Sequence, residues 1–114
     1  MCGICGIIAA PESGMAKDSL LRMRRAMTHR GPDDEGLLIA DGAMFGHNRL
    51  AIIDLSTAGH QPMSNEDNSL HIVFNGEIYG YRSLRDELIS KGHKFKSHTD
   101  TETCLLYTSP SPRD

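Results

Sequence analysis

The chain has 114 residues, 39% of them hydrophobic and 24% charged, which suits one small globular domain and excludes a disordered polymer. Twelve Lys and Arg against fifteen Asp and Glu give a net charge of −3, with no basic stretch for a phosphate backbone, so no nucleic-acid partner is expected. No apolar run approaches the roughly 18 residues of a bilayer span, so no membrane partner is expected either.

The start, MCGICGIIAAPESG, lacks the basic n-region of a secretory signal. Three cysteines near the two ends make no disulfide framework and favour a reducing, cytoplasmic compartment. Without Trp, and with three Tyr and three Phe, the core is expected to be aliphatic and, at this length, marginal.

Residues 2–10 are small and apolar and read as a strand buried on both faces. Residues 16–29 carry Leu20, Met23, Ala26 and Met27 at helical spacing, with Gly31-Pro32 as the stop. Asp41-Gly42 between 36–40 and 43–47 is the hairpin signal. A further strand is expected over 50–55, with Leu50 and Ile52 on one face and Arg49, Ala51 and Ile53 on the other. After a loop over 56–68, residues 70–74 read as a buried strand ending at Asn75-Gly76. A helix follows over 81–90, with Leu84, Leu88 and Ile89 inward and Gly92 after its end. This order argues for an antiparallel α+β domain. The last stretch, CLLYTSPSPRD at 104–114, breaks the helix that 99–102 begins, and it resembles the translation of a sequencing-library adaptor. Residues 1–103 are therefore expected to be an incomplete domain and 104–114 a non-native tail.

Cys2 follows the initiator methionine. Removal of Met1 would leave a thiol and an α-amine on one residue, and an amine of pKa about 7.7 to 8 can act as general base. Taken alone, Cys2 is as readily an ordinary small buried thiol. Cys2 and Cys5 also fit C-x-x-C, but a redox dithiol needs a helix start after a strand, and a closed zinc site needs four ligands. Neither context is present in the sequence pattern, so no metal is expected.

Six motifs then occur in order: MCGICG at 1–6, HRGPDD at 29–34, HNRLAIIDL at 47–55, GHQPM at 59–63, NGEIY at 75–79 and DTE at 100–102. Together they closely resemble the N-terminal glutaminase domain of glutamine-hydrolysing asparagine synthetases, which are class II amidotransferases. The resemblance implies the four-layer αββα sandwich of N-terminal-nucleophile hydrolases. It implies Cys2 as nucleophile, with Asn75 and Gly76 as the oxyanion hole. For glutamine it implies Arg49 on the α-carboxylate, Asp100 on the α-ammonium, and Leu50, Ala51, Ile52, Ile53 and Glu77 completing the pocket. Arg30 and Gly31-Pro32 are expected in a loop over the site; His29, His47 and His60 are read as structural, and Cys5 as non-catalytic. Gly80 stands where the family usually has asparagine, so local hydrogen bonding is expected to be lost there.

The implied activity is hydrolysis of glutamine to glutamate and ammonia through a thioester. A separate C-terminal synthetase domain would use the ammonia to make asparagine from aspartate and ATP. No cofactor is expected within these residues; ATP and magnesium belong to that other domain, and a homodimer is compatible with the family. On its own the chain is expected to be inactive. Two alternatives stay open: the glutaminase half of another class II amidotransferase, and a non-catalytic glutamine-binding module.

Overall fold

In the computed structural model, which describes residues 2–8, 14–40, 42–51 and 55–110 (backbone only at 14–16), the small apolar start forms β1 (Gly3–Ile7). Helix α1 (Gly14–Ala26) and a 3-10 turn at Thr28–Arg30 lead into β2 (Asp34–Ala40) and β3 (Ala43–Arg49). The predicted hairpin forms, with Ala40 opposite Ala43. Gly42 takes φ +81°, the left-handed conformation that this turn requires and that glycine adopts without a Cβ clash. The three strands make an antiparallel sheet in the order β1-β3-β2, with Gly3 opposite Asn48 and Asp34 opposite Arg49. A two-stranded antiparallel sheet follows, β4 (Met63–Ser64) with β5 (His71–Ile72). Helices α2 (Tyr81–Ser90) and α3 (Asp100–Thr108) pack on each other, and α3 also lies against β5. The class is the expected α+β with antiparallel sheets. Among the described residues no helix is long and apolar enough to cross a membrane.

Several local expectations change. β1 is an edge strand covered by α1 on one face, so Ile4 is 47% exposed and the strand is not buried on both faces. The strand expected over 50–55 does not form at its described residues. Instead β3 continues through His47, Asn48 and Arg49, because each finds a partner on β2, at Gly36, Glu35 and Asp34. Ile52 and Ile53 lie outside the described residues.

On α1, Leu20 is fully buried, but Met23 is 39% exposed and Ala26 is also exposed. The inward row is Leu20, Arg24 and Met27, with Met27 against Gly3 and the Arg24 guanidinium 3.4 Å from the Glu35 carboxyl. α2 has the predicted bounds. Its end is closed by His93 N–H to Leu88 C=O and Gly92 N–H to Ile89 C=O, with Gly92 at φ +98°. Leu88 is buried, whereas Ile89 points outward. Gly80, in the left-handed region at φ +74°, begins α2 without a side-chain cap. The expected break after Glu102 does not occur: α3 runs to Thr108 and buries Leu105 and Leu106.

Candidate active site

Cys2 precedes β1 by one residue, and the strand register places it beside the end of β3. The Leu50 N–H donates to Cys2 Sγ at 3.3 Å, and Sγ lies 3.7 Å from the Leu50 carbonyl oxygen. Arg30, closing the 3-10 turn, donates from Nε to the Cys2 carbonyl at 3.3 Å. Gly31 is buried flat on β3, where a Cβ would fall 2.3 Å from the Asn48 carbonyl, so only glycine permits this approach. Asp33 donates its N–H to the Arg49 carbonyl (3.0 Å) and accepts the Ala51 N–H on Oδ2 (2.9 Å). HRGPDD is thus more than a helix stop: it braces the backbone on both sides of Leu50. Cys5 lies within β1 opposite Gly46, not at a helix start. Burial raises its thiol above the ordinary 9.0.

Arg49 is the last residue of β3 and is buried. Its Nη1 donates to the Ser56 carbonyl at 2.6 Å, and the guanidinium lies over Gly59, where a Cβ would meet Nη2 at 2.2 Å. It is neither a solvated surface arginine nor a strand neighbour of Ala51. The first site cluster therefore comprises Cys2, Arg49, Leu50 and Ala51.

The second cluster is the turn after β5. Asn75, Gly76 and Glu77 are exposed, and Asp100, buried in the first turn of α3, accepts the Ile78 N–H at 3.0 Å. His47 joins the clusters: its Nε2 lies 3.3 Å from the Phe74 carbonyl, which can only accept, so Nε2 carries the proton. The ring is fully buried, burial pushes its pKa below the ordinary 6.5, and among the described residues Nδ1 has no hydrogen-bond partner. His60 Nδ1 sits 2.6 Å from Asp34 Oδ2, and His29 is exposed.

Residue-by-residue reading missed the work of GHQPM. Gly59 makes room for Arg49, and Gln61 reaches from its loop to the Phe74 N–H and to α3. A glycine and a proline bracketing two polar residues signal a fixed loop, but its targets lie 10 to 40 positions away. A thiol with an N–H aimed at its sulfur, on the strand end that carries a buried arginine, and a turn of exposed backbone tied to the same strand through His47 are groups that can support acyl transfer.

Residues 1–109 match the family described as glutamine amidotransferase domain. The chain belongs to this family. It is similar to asparagine synthetase [glutamine-hydrolyzing] 1 of Bacillus subtilis, 41% identical over 108 residues, covering 92% of this chain and 17% of that protein. Likewise it is 40% identical over 103 residues to asparagine synthetase [glutamine-hydrolyzing] 3 of Arabidopsis thaliana, covering 90% and 17%. The putative asparagine synthetase [glutamine-hydrolyzing] 2 of Methanocaldococcus jannaschii is 40% identical over 123 residues, covering 92% and 23%. The chain thus spans less than a quarter of the length of these curated relatives.

Proposed function

We propose that this chain is the glutaminase half of an asparagine synthetase. The observation that carries it is the Cys2 thiol, held against the Leu50 N–H at the end of the strand that carries buried Arg49. Family membership and the names of the relatives support the same reading. With Met1 removed, the α-amine takes the thiol proton as sulfur adds to the glutamine side-chain carbonyl. The Asn75 side-chain NH2 and the Gly76 N–H stabilise the oxyanion, a contribution of several kcal/mol where donors are fixed in advance. The proton passes to the leaving nitrogen, ammonia departs and a thioester remains. Water then adds, its proton returns to sulfur and glutamate leaves.

Arg49 binds the substrate carboxylate and Asp100 its ammonium, while Leu50, Ala51 and Glu77 line the pocket. The ammonia serves a C-terminal synthetase domain, where ATP and magnesium act. For the complete domain we propose the four-layer αββα sandwich; α1 on the three-stranded sheet and α3 against β5 support it. Within it we propose residues 1–103 as native and 104–114 as foreign; α3 running to Thr108 and the family match to residue 109 argue for a later boundary, and the genomic coding sequence decides it. The test of function is ammonia release from glutamine by the protein carrying this domain, free of Met1. Wild type is expected to be active and Cys2→Ala inactive. Glutamine binding without hydrolysis by the wild type would mean a binding module instead.

A further inference from the structure

The turn 75–77 is exposed, yet both peptide groups that flank it are held by buried side chains. Before the turn, the Phe74 N–H donates to Gln61 Oε1 at 2.7 Å and the Phe74 carbonyl accepts from His47 Nε2 at 3.3 Å. The Phe74 ring then lies under Gly76, where a Cβ would be 3.0 Å from the ring edge. After the turn, Asp100 holds the Ile78 N–H. Gln61 is itself fixed, its Nε2 donating to Thr101 Oγ1 at 3.3 Å on the helix that carries Asp100. Its loop is pressed onto β2: a Cβ on Gly36 would fall 2.0 Å from the Gln61 carbonyl.

We infer that His47 and Gln61 are positioning residues for the oxyanion donors, fixing the two peptide groups on either side of the Phe74 Cα, one from β3 and one from the 59–63 loop, so that Asn75 and Gly76 are held in place in advance of reaction. Neither touches the substrate. Preorganisation has a physical reason here: two exposed donors on a free turn would have to be ordered in each turnover, while donors on a clamped peptide need no reorganisation. His47 suits the task because its burial keeps the ring neutral, with the donor on Nε2. Gln61 suits it because one amide supplies an acceptor for Phe74 and a donor for Thr101. Removing either side chain releases one of the two successive peptide groups that join at Phe74.

This inference rests on the glutaminase reading, and the experiment separates the two. In the protein carrying this domain, His47→Phe and Gln61→Leu are expected to lower kcat for glutamine hydrolysis about 10- to 100-fold, less than the 10²- to 10³-fold typical of deleting an oxyanion donor. KM should stay within about twofold, because the substrate contacts are untouched. His47→Gln, which can still donate to the Phe74 carbonyl, is expected to recover to within about threefold of wild type. Hydrogen exchange over residues 72–78 should rise about tenfold in His47→Phe and Gln61→Leu and not in His47→Gln. Unchanged kcat, a rise confined to KM, or equal losses in His47→Gln and His47→Phe would overturn the inference. If wild type releases no ammonia, the function reading fails, and unchanged exchange in the variants would then sink the clamp as well. Should His47→Phe fail to fold, the Gln61→Leu and His47→Gln pair carries the same decision.

Discussion

The two ends of the molecule are held by different physics. In the sheet that α1 covers, the fully buried Leu20 and Met44 are apolar, the polar His47, Asn48 and Arg49 being buried farther along β3, and the hairpin follows from its turn signal. At the start of α3, five consecutive residues, Thr99 to Thr103, are buried, and all are polar. Thr99 Oγ1 caps the helix by accepting the Glu102 N–H at 3.2 Å. The Glu102 carboxyl in turn accepts the Lys96 N–H, the Ser97 N–H and the Ser97 hydroxyl. A buried polar cluster is stable only when its members are satisfied, so this end depends on specific partners where the other depends on area.

The sharpest test of that contrast is Glu102→Leu, nearly conservative in volume. Were α3 held by burial alone, the change would be mild. The prediction is a loss of about 3 kcal/mol, since three donors lose a buried acceptor. Denaturant unfolding measures it, and a loss below about 1 kcal/mol would erase the difference between the two ends.

Gly59→Ala comes next. The new methyl would overlap the Arg49 guanidinium, at an expected cost of about 1 to 3 kcal/mol. Glutamine KM should rise with it. Full stability with unchanged KM would show that Arg49 does not need the seat Gly59 leaves.

His47 gives a smaller, pH-dependent effect. Its folded pKa lies below 6.5, lowered first by burial and further by His60 and Arg49, while the Phe74 carbonyl and Asp34 oppose the shift. Above pH 6.5 both folded and unfolded chains hold it neutral. Below that, the unfolded chain binds the proton first, so stability falls as the pH drops. Chemical denaturation at pH 7.5 and 5.5 should show a decline that His47→Gln reduces; equal slopes in both proteins would assign the decline to other groups.

The smallest effect is expected at Met23→Ala, within about 0.5 kcal/mol, because the side chain is substantially exposed on α1. Leu20→Ala, one turn earlier, should cost about 2 to 5 kcal/mol. Similar losses at the two positions would restore the helical stripe read from spacing.

That stripe shows where sequence reading stopped. Leu20 and Met27 face inward as their spacing requires, but the third inward position is Arg24, paired with Glu35 rather than excluded from the interface. α2 was legible to the residue because Gly92 supplies the left-handed stop its end requires. β3 was not legible beyond His47. His-Asn-Arg reads as a polar connection, yet it is the buried end of the central strand because β2 pairs with it and the 29–34 loop covers it.

By itself the sequence determined the glycine turn at 42, the bounds of α2 and the order of motifs that places the chain in its family. These depend on backbone conformations and spacings confined to a few neighbouring residues. Only the tertiary structure decided that Arg49 would be buried against Gly59, that Asp33 would brace Ala51, and that His47 and Gln61 would both hold the backbone of Phe74. Each of those joins residues 10 to 27 positions apart through tertiary contacts, which have no periodicity to read. They exist because a buried donor or acceptor must find its partner wherever the chain has brought one.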